Sequence, residues 1–146
     1  MTTFMKYASL AVLLAAVGAA GWVLRSGDTA PQVGGDAAPG DPIVEITLPT
    51  SFSETARLGQ RVFEARCASC HGPHAVGQKG VAPPLIHKIY EPSHHGDAAF
   101  QLAVTNGVRA HHWPFGNMPA IEGLSPAQVT YVTRYVREIQ RANGIF

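Results

Sequence analysis

Apolar positions fall into three patterns along the chain. From Tyr7 to Leu24 nearly every residue is apolar (YASLAVLLAAVGAAGWVL), bounded by Lys6 and Arg25. About 18 residues at 1.5 Å each span roughly 27 Å as a helix, just enough for a bilayer core. Residues 26–50 show no periodicity except in Ile43-Val44-Glu45-Ile46-Thr47-Leu48, apolar enough to lie against a folded domain as an extended segment. Beyond residue 50 the pattern becomes helical. Leu58, Val62 and Ala65 recur on one face of a first helix that the Ser51 to Glu54 spacing predicts to start with a capping box. A second helix is expected from Asp97, with Phe100, Ala103 and Val104 inward and Asn106-Gly107 ending it. A third is expected from Ser125-Pro126-Ala127-Gln128, with Val129, Val132, Val136 and Ile139 inward and Asn143-Gly144 closing it. With no internal repeat and no strand-rich stretch, residues 51–146 read as a small all-α domain.

Composition divides the chain before that domain. Its 146 residues suit one domain, and 46% hydrophobic content is ordinary, but much of it lies at the front. Residues 1–25 read as an N-terminal membrane anchor or an uncleaved signal. Gly18-Ala19-Ala20 would suit a signal peptidase, whereas the apolar run continues through Trp22, Val23 and Leu24, with Trp22 placed like an interfacial anchor. Residues 26–50 are dominated by Gly, Ala, Pro and Asp, without Lys or Arg, and are expected to be a flexible linker. The net charge of +1 is small, and no nucleic-acid partner is expected.

The chemistry concentrates at Cys67-Ala68-Ser69-Cys70-His71. The only two cysteines of the chain stand in a C-x-x-C-H arrangement, the attachment pattern of a c-type haem. Two thioether bonds would fix the porphyrin and place His71 beneath the iron. Three other readings are weaker. A thioredoxin-like pair needs a strand and a crossover helix around it, a zinc site needs two further ligands at matching spacing, and a disulfide closing so short a loop adds little stability. On the far side of the iron the protein can offer Met, a second His or nothing. Met1 and Met5 lie in the leader, which leaves Met118, in the turn-prone Phe115-Gly116-Asn117-Met118-Pro119.

With C-x-x-C-H after a first helix and Met-Pro before the last one, the chain resembles the class I c-type cytochromes, small monohaem electron carriers. The resemblance implies a cytochrome c fold around one covalent haem c, with Cys67, Cys70, His71 and Met118 as cofactor-binding residues and His71 and Met118 as the two metal ligands. It also implies that Gly59 and Phe63 lie where the first and last helices cross, with Tyr135 meeting them. Pro83 and Leu85 match the Pro-x-Leu that presents a carbonyl to the ligand histidine's other ring nitrogen, while Ala82 stands where the family commonly has Gly.

An iron with both axial positions filled has no place for a substrate, so the expected role is an electron carrier, not an enzyme, with no small-molecule substrate. The alternatives are a haem subunit of a larger membrane oxidoreductase and a small haem enzyme or sensor. Haem attachment outside the cytoplasm puts the domain on the periplasmic side of the inner membrane, held by a single span, or in the periplasm as a soluble protein after cleavage. Expected partners are redox proteins associated with the membrane. From Ser51 on, nine Lys and Arg stand against six Asp and Glu, a net +3. Of these, Lys79 and Lys88 are expected near the haem edge, and Arg134, Arg137 and Arg141 on a solvated helix face. His94-His95 and His111-His112 read as surface or haem-edge histidines or as a second metal site. Arg109 or Trp113 is expected to bond a haem propionate.

Overall fold

The computed structural model describes residues 38–146. The apolar span at 7–24, its cleavage site and the front of the linker lie outside the described residues. Among the described residues, no helix is long and apolar enough to cross a membrane.

Among the described residues, four α-helices carry the fold: α1 (Glu54–Arg66), the single turn α2 (Ala68–His71), α3 (Asp97–Asn106) and α4 (Pro126–Ala142). Two 3-10 turns, Pro73–Ala75 and Lys88–Tyr90, interrupt the loop between α2 and α3. Among the described residues there is no strand, only isolated bridges from Gln78 to Ala82 and from Val108 to Met118. The all-α expectation holds for this part of the chain.

The last helix forms as its sequence dictates. Ser125 accepts a bond from the Gln128 amide while the Gln128 side chain takes the Ser125 N–H, and Pro126 needs no partner at the first position. Val129, Val132, Val136 and Ile139 are buried as expected. The first helix differs in start and in face. Its cap is Ser53, not Ser51: the Ser53 hydroxyl accepts from Ala56 N (3.1 Å), and Glu138 on α4 takes both the Ser53 hydroxyl (2.8 Å) and its amide (3.0 Å). A partner 85 residues away thus selects between two serines. The buried stripe is Ala56, Gly59 and Phe63. Leu58 and Val62 are half-buried and Ala65 is exposed.

That stripe is set by the crossing with α4. A Cβ on Gly59 would lie 1.9 Å from the Tyr131 carbonyl oxygen, so only glycine lets the two backbones approach this closely. Phe63 packs on Tyr135 with ring centroids 5.7 Å apart, and Phe52 packs on the same ring at 5.2 Å. Burial, reinforced by the Glu64 carboxylate, pushes the Tyr135 phenol up to about 12. Its hydroxyl meets His74 Nδ1 at 2.8 Å. This tie helps hold His74 and Ala75 in the left-handed region, at φ of 53° and 65°, a conformation that costs a non-glycine residue about 1 kcal/mol.

The segment Ile43–Leu48 lies against the domain as expected, and the docking begins slightly earlier, at about residue 40, within the stretch expected to be a tether. Gly40 N bonds Lys79 O (2.9 Å), the Ile43 and Val44 amides bond Val76 O, and Ile46 packs on the core. Asn143 clamps Thr47 through both its side-chain atoms, at 2.8 Å each. The apolar run Ile43–Leu48 explains the docking, since it supplies surface that the rest of the linker lacks.

Arg137 departs from the expected solvated face. It is 5% exposed and bonds Asp97 Oδ1 (2.9 Å), Tyr90 O (2.6 Å), Gln140 Oε1 (2.7 Å) and the His95 carbonyl. Its guanidinium also lies over the Phe100 ring, 5.1 Å from the centroid. Gln140, fully buried, donates to Leu85 O and Tyr90 O. Through these two side chains α4 holds the long loop between α2 and α3.

Candidate functional site

Between α1, α3, α4 and the loops that join them lies a cavity of about 440 Å³ lined largely by apolar groups. Cys67, Cys70, His71 and Met118 all line it. The volume lies in the range of cofactor sites, and a few polar groups converge on it.

Cys67 closes α1, its N–H bonding Phe63 O (2.8 Å), and His71 N returns to Cys67 O (2.9 Å), so Cys67 at the cap of α2 and Cys70 and His71 within it share one turn. Cys67 and Cys70 are not joined in a disulfide. Burial pushes the Cys67 thiol up to about 11, with Cys70 adding to the rise and the Arg66 cation opposing it. Redox-active C-x-x-C pairs have the opposite property, a depressed thiol pKa, so this site does not suit dithiol exchange.

His71 Nδ1 lies 2.8 Å from the Pro83 carbonyl oxygen. A carbonyl only accepts, so Nδ1 carries the proton and Nε2 keeps its lone pair. Burial lowers the His71 pKa, against the smaller upward pull of the Pro83 bond. The ring is therefore a neutral, oriented imidazole, the form that ligates a metal. The loop reaches this geometry with Ala82 in place. Gln78 and Ala82 exchange backbone bonds (2.9 and 3.1 Å), and Gly77 at φ 76° turns the chain where a Cβ would lie 2.5 Å from Pro84 N.

Met118 is fixed by a pair of 2.9 Å backbone bonds with Val108, and Gly107 at φ 72° lets the two segments meet, since a Cβ there would lie 2.6 Å from Met118 O. Asn117 Oδ1 accepts from Ala110 N at 2.9 Å. The methionine thus sits on a short two-stranded clasp between α3 and α4. On α3, Phe100, Ala103 and Val104 face the cavity as expected, but the cap is Gly96, and Asp97, one position later, is taken by Arg137.

Whether these residues suit a large carboxylate-bearing cofactor is tested by Trp113. Its Nε1 is buried without a hydrogen bond of good geometry, although it lies close enough to the Tyr90 hydroxyl to oppose the larger upward push of burial on that phenol. An unmatched buried donor on an apolar cavity suits an anionic group such as a propionate. Trp113 lines the cavity, whereas Arg109 is exposed and does not. His87 supports Trp113 edge-on at 5.2 Å and accepts from Ile89 N, and His74 is spent on Tyr135.

The four remaining histidines come together, and three of them, His95, His111 and His112, line the cavity. His94 and His95 meet His112 with ring centroids 5.3 and 5.2 Å apart, and His111 lies 4.2 Å from His112. Partial desolvation, then the neighbouring His111, His95 and His94, lower the pKa of His112. The convergence was not readable from the two pairs alone, which stand on loops joined by α3.

Comparison with known proteins agrees with this geometry. No curated protein matches the chain. The family model described as Cytochrome c matches residues 56–140, from the first buried residue of α1 to the last buried residue of α4. That match spans more than half of the chain, and with C-x-x-C-H and Met-Pro lining one cavity it places the chain in the cytochrome c family, which carries covalently bound haem c.

Proposed function

We propose that the domain is a monohaem electron carrier in which Cys67 and Cys70 hold the haem through thioether bonds and His71 and Met118 ligate its iron. The observation that carries this reading is the His71 Nδ1 bond to Pro83 O, which leaves Nε2 free and aimed by a fixed ring, on the same cavity as Met118. Haem c, when bound, supplies a one-electron couple. The chain's own residues do the rest. Cys67 and Cys70 would hold the group through their sulfur atoms, and the Pro83 carbonyl orients the His71 ring and increases its basicity. The Val108 and Met118 clasp delivers the thioether, Trp113 Nε1 is placed to bond a propionate, and Phe63, Phe100 and Leu85 keep water out. His71 and Met118 would both ligate the iron and leave it no position for a substrate, which separates this reading from an enzyme or a gas sensor.

The context follows from the same assignment and from the front of the chain. Residues 7–24 would hold the domain at the periplasmic face of the inner membrane, where it would pass electrons between redox proteins.

The test is substitution of Met118 in the holoprotein. Met118→His should keep a six-coordinate spectrum and lower the midpoint potential, because imidazole favours ferric iron more than a thioether does. Met118→Ala should let carbon monoxide bind without denaturant. A parent-like potential and spectrum in both variants would remove Met118 from the iron.

A further inference from the structure

We propose that His94, His95 and His112 form a second metal site, at the rim of the cavity, which takes a divalent transition-metal ion through imidazole nitrogens. One ring nitrogen from each lies within 4.8 Å of the other two. Donors around a tetrahedral ion with metal–nitrogen bonds of about 2.05 Å stand roughly 3.3 Å apart, so closing the set needs only small side-chain rotations. His94 and His112 are exposed, free to make them, and His95 is half-buried.

His95 is built as a ligand. Its Nδ1 meets the Ile89 carbonyl at 2.6 Å, which puts the proton on Nδ1 and leaves Nε2 as the donor. Metal-binding histidines are oriented in this way by the bond on the other nitrogen. The backbone beneath it is fixed too: the His95 carbonyl accepts from buried Arg137, and the Tyr90 ring packs on the imidazole at 5.1 Å. His111 stands next to the set, its Nδ1 2.8 Å from Arg109 O and its ring 4.2 Å from His112, and is the neighbour for the fourth position.

The donor set selects the ion. Three neutral nitrogens and no oxygen do not suit Ca²⁺ or Mg²⁺, whereas imidazole suits Zn²⁺, Ni²⁺ and Cu²⁺, with copper highest in the affinity order. His95, His111 and His112 line the same cavity as His71 and Met118. If that cavity holds the redox iron, as proposed above, a dication at its rim disfavours the ferric state. Metal binding then raises the midpoint potential, and by reciprocity the reduced protein binds the ion more tightly by the same factor.

The experiment titrates the full-length holoprotein with Zn²⁺ alone by calorimetry, followed by the potential with and without saturating Zn²⁺. Cu²⁺ serves as a second probe, read by nitrogen splitting in its electron paramagnetic resonance spectrum. The expected result is one ion per chain, nitrogen ligation and a higher midpoint potential. The double variant His94→Ala/His112→Ala changes two exposed side chains and should weaken binding by roughly a hundredfold, about tenfold or more for each ligand. It should also abolish the potential shift while leaving the haem spectrum as in the parent. Failure of Zn²⁺ to bind below millimolar concentration, or equal affinity in the double variant, would overturn the site. A parent potential unmoved by bound Zn²⁺ would overturn the coupling. An altered haem spectrum in the double variant would put these histidines on the haem iron instead. Failure of the Met118 assignment shows separately, in the Met118 variants without added metal.

Discussion

The two sides of α4 are built on different physics. Toward α1 the contact is steric and apolar along the helix, with the Ser53 to Glu138 bonds only at its start: Gly59 lies against the Tyr131 backbone, and Phe63, Tyr135, Val136 and Ile139 are fully buried. Toward the cavity no residue of α3 is fully buried, and the loops around it are positioned by polar side chains, chiefly Arg137 and Gln140 from α4 and the His71 to Pro83 bond. One helix therefore supplies the core with one stripe and the site with an adjacent one. The first side is fixed by shape and tolerates no added atom. The second is fixed by a few directional bonds, so its loops can be set in place around a cofactor without a packed interior of their own.

The largest effect should come from breaking the first side. Gly59→Ala sets a methyl carbon 1.9 Å from the Tyr131 oxygen, a backbone atom that no rotamer change can move. The helices must separate, at a cost of about 3 kcal/mol or more. For a domain of this size the melting temperature should fall by more than ~10 °C, measured by far-ultraviolet circular dichroism. A fall of only a degree or two would mean that the crossing is soft. The glycine is then no constraint on the fold.

How much of this was legible depended on how local the causes were. The capping box at Ser125 and Gln128 lies within four residues, and the stripe Val129, Val132, Val136, Ile139 needs only helical spacing, so both appear in the sequence as they do in the fold. The choice of Ser53 over Ser51 rests on Glu138, and the shift of α1's buried face to Ala56, Gly59 and Phe63 rests on how close α4 comes. Neither cause is near in the chain. Three of the four proposed site residues were visible because the C-x-x-C-H pattern ties two thiols and an imidazole into five consecutive positions, and Met118 because the other two methionines lie in the leader. The two histidine pairs were visible as pairs, but their meeting depends on how α3 folds back. Arg137 was the least readable. On a helix rich in arginine it looks like a solvated charge, and its partners at residues 90, 95 and 97 are 40 or more positions away.

Arg137 therefore offers the second test, aimed at the polar side. Arg137→Met keeps bulk and removes the donors to Tyr90 O, His95 O and Asp97 Oδ1. Tyr90 O retains Gln140, but the His95 carbonyl and the Gln140 amide oxygen lose their partner, costing about 2 kcal/mol. The melting temperature should fall less than in Gly59→Ala. Amide exchange should quicken across residues 86–97 while the α1 and α4 amides at the crossing stay slow. Arg137→Lys should recover little, since one ammonium cannot reproduce a planar fork that serves four acceptors. Uniform loss of protection across the whole domain would show that the two sides are one cooperative unit.

The smallest effect on the fold, and the one that reaches furthest from it, concerns how a redox partner would dock on the cavity side. Lys79 and Lys88 are exposed on the loop between α2 and α3, the same loop that supplies Val81, Pro83 and Leu85 to the cavity lining, within a domain of net +3, so an acidic partner surface would be drawn to this loop. The rim also presents Val81, 44% exposed, and Leu102, 60% exposed, both on the cavity edge, and apolar contact there needs no charge. Lys79→Glu/Lys88→Glu takes the domain from +3 to −1 and touches no buried group, so stability should move by less than about 0.5 kcal/mol. Bimolecular electron transfer to an acidic partner should slow severalfold at low ionic strength. The difference should fade near physiological salt, where the screening length is roughly 8 Å, because steering acts on the association rate. Stopped-flow rates across a salt series decide between the two surfaces. Converging curves assign encounter to the lysines, and curves that coincide at every salt concentration assign it to Val81 and Leu102.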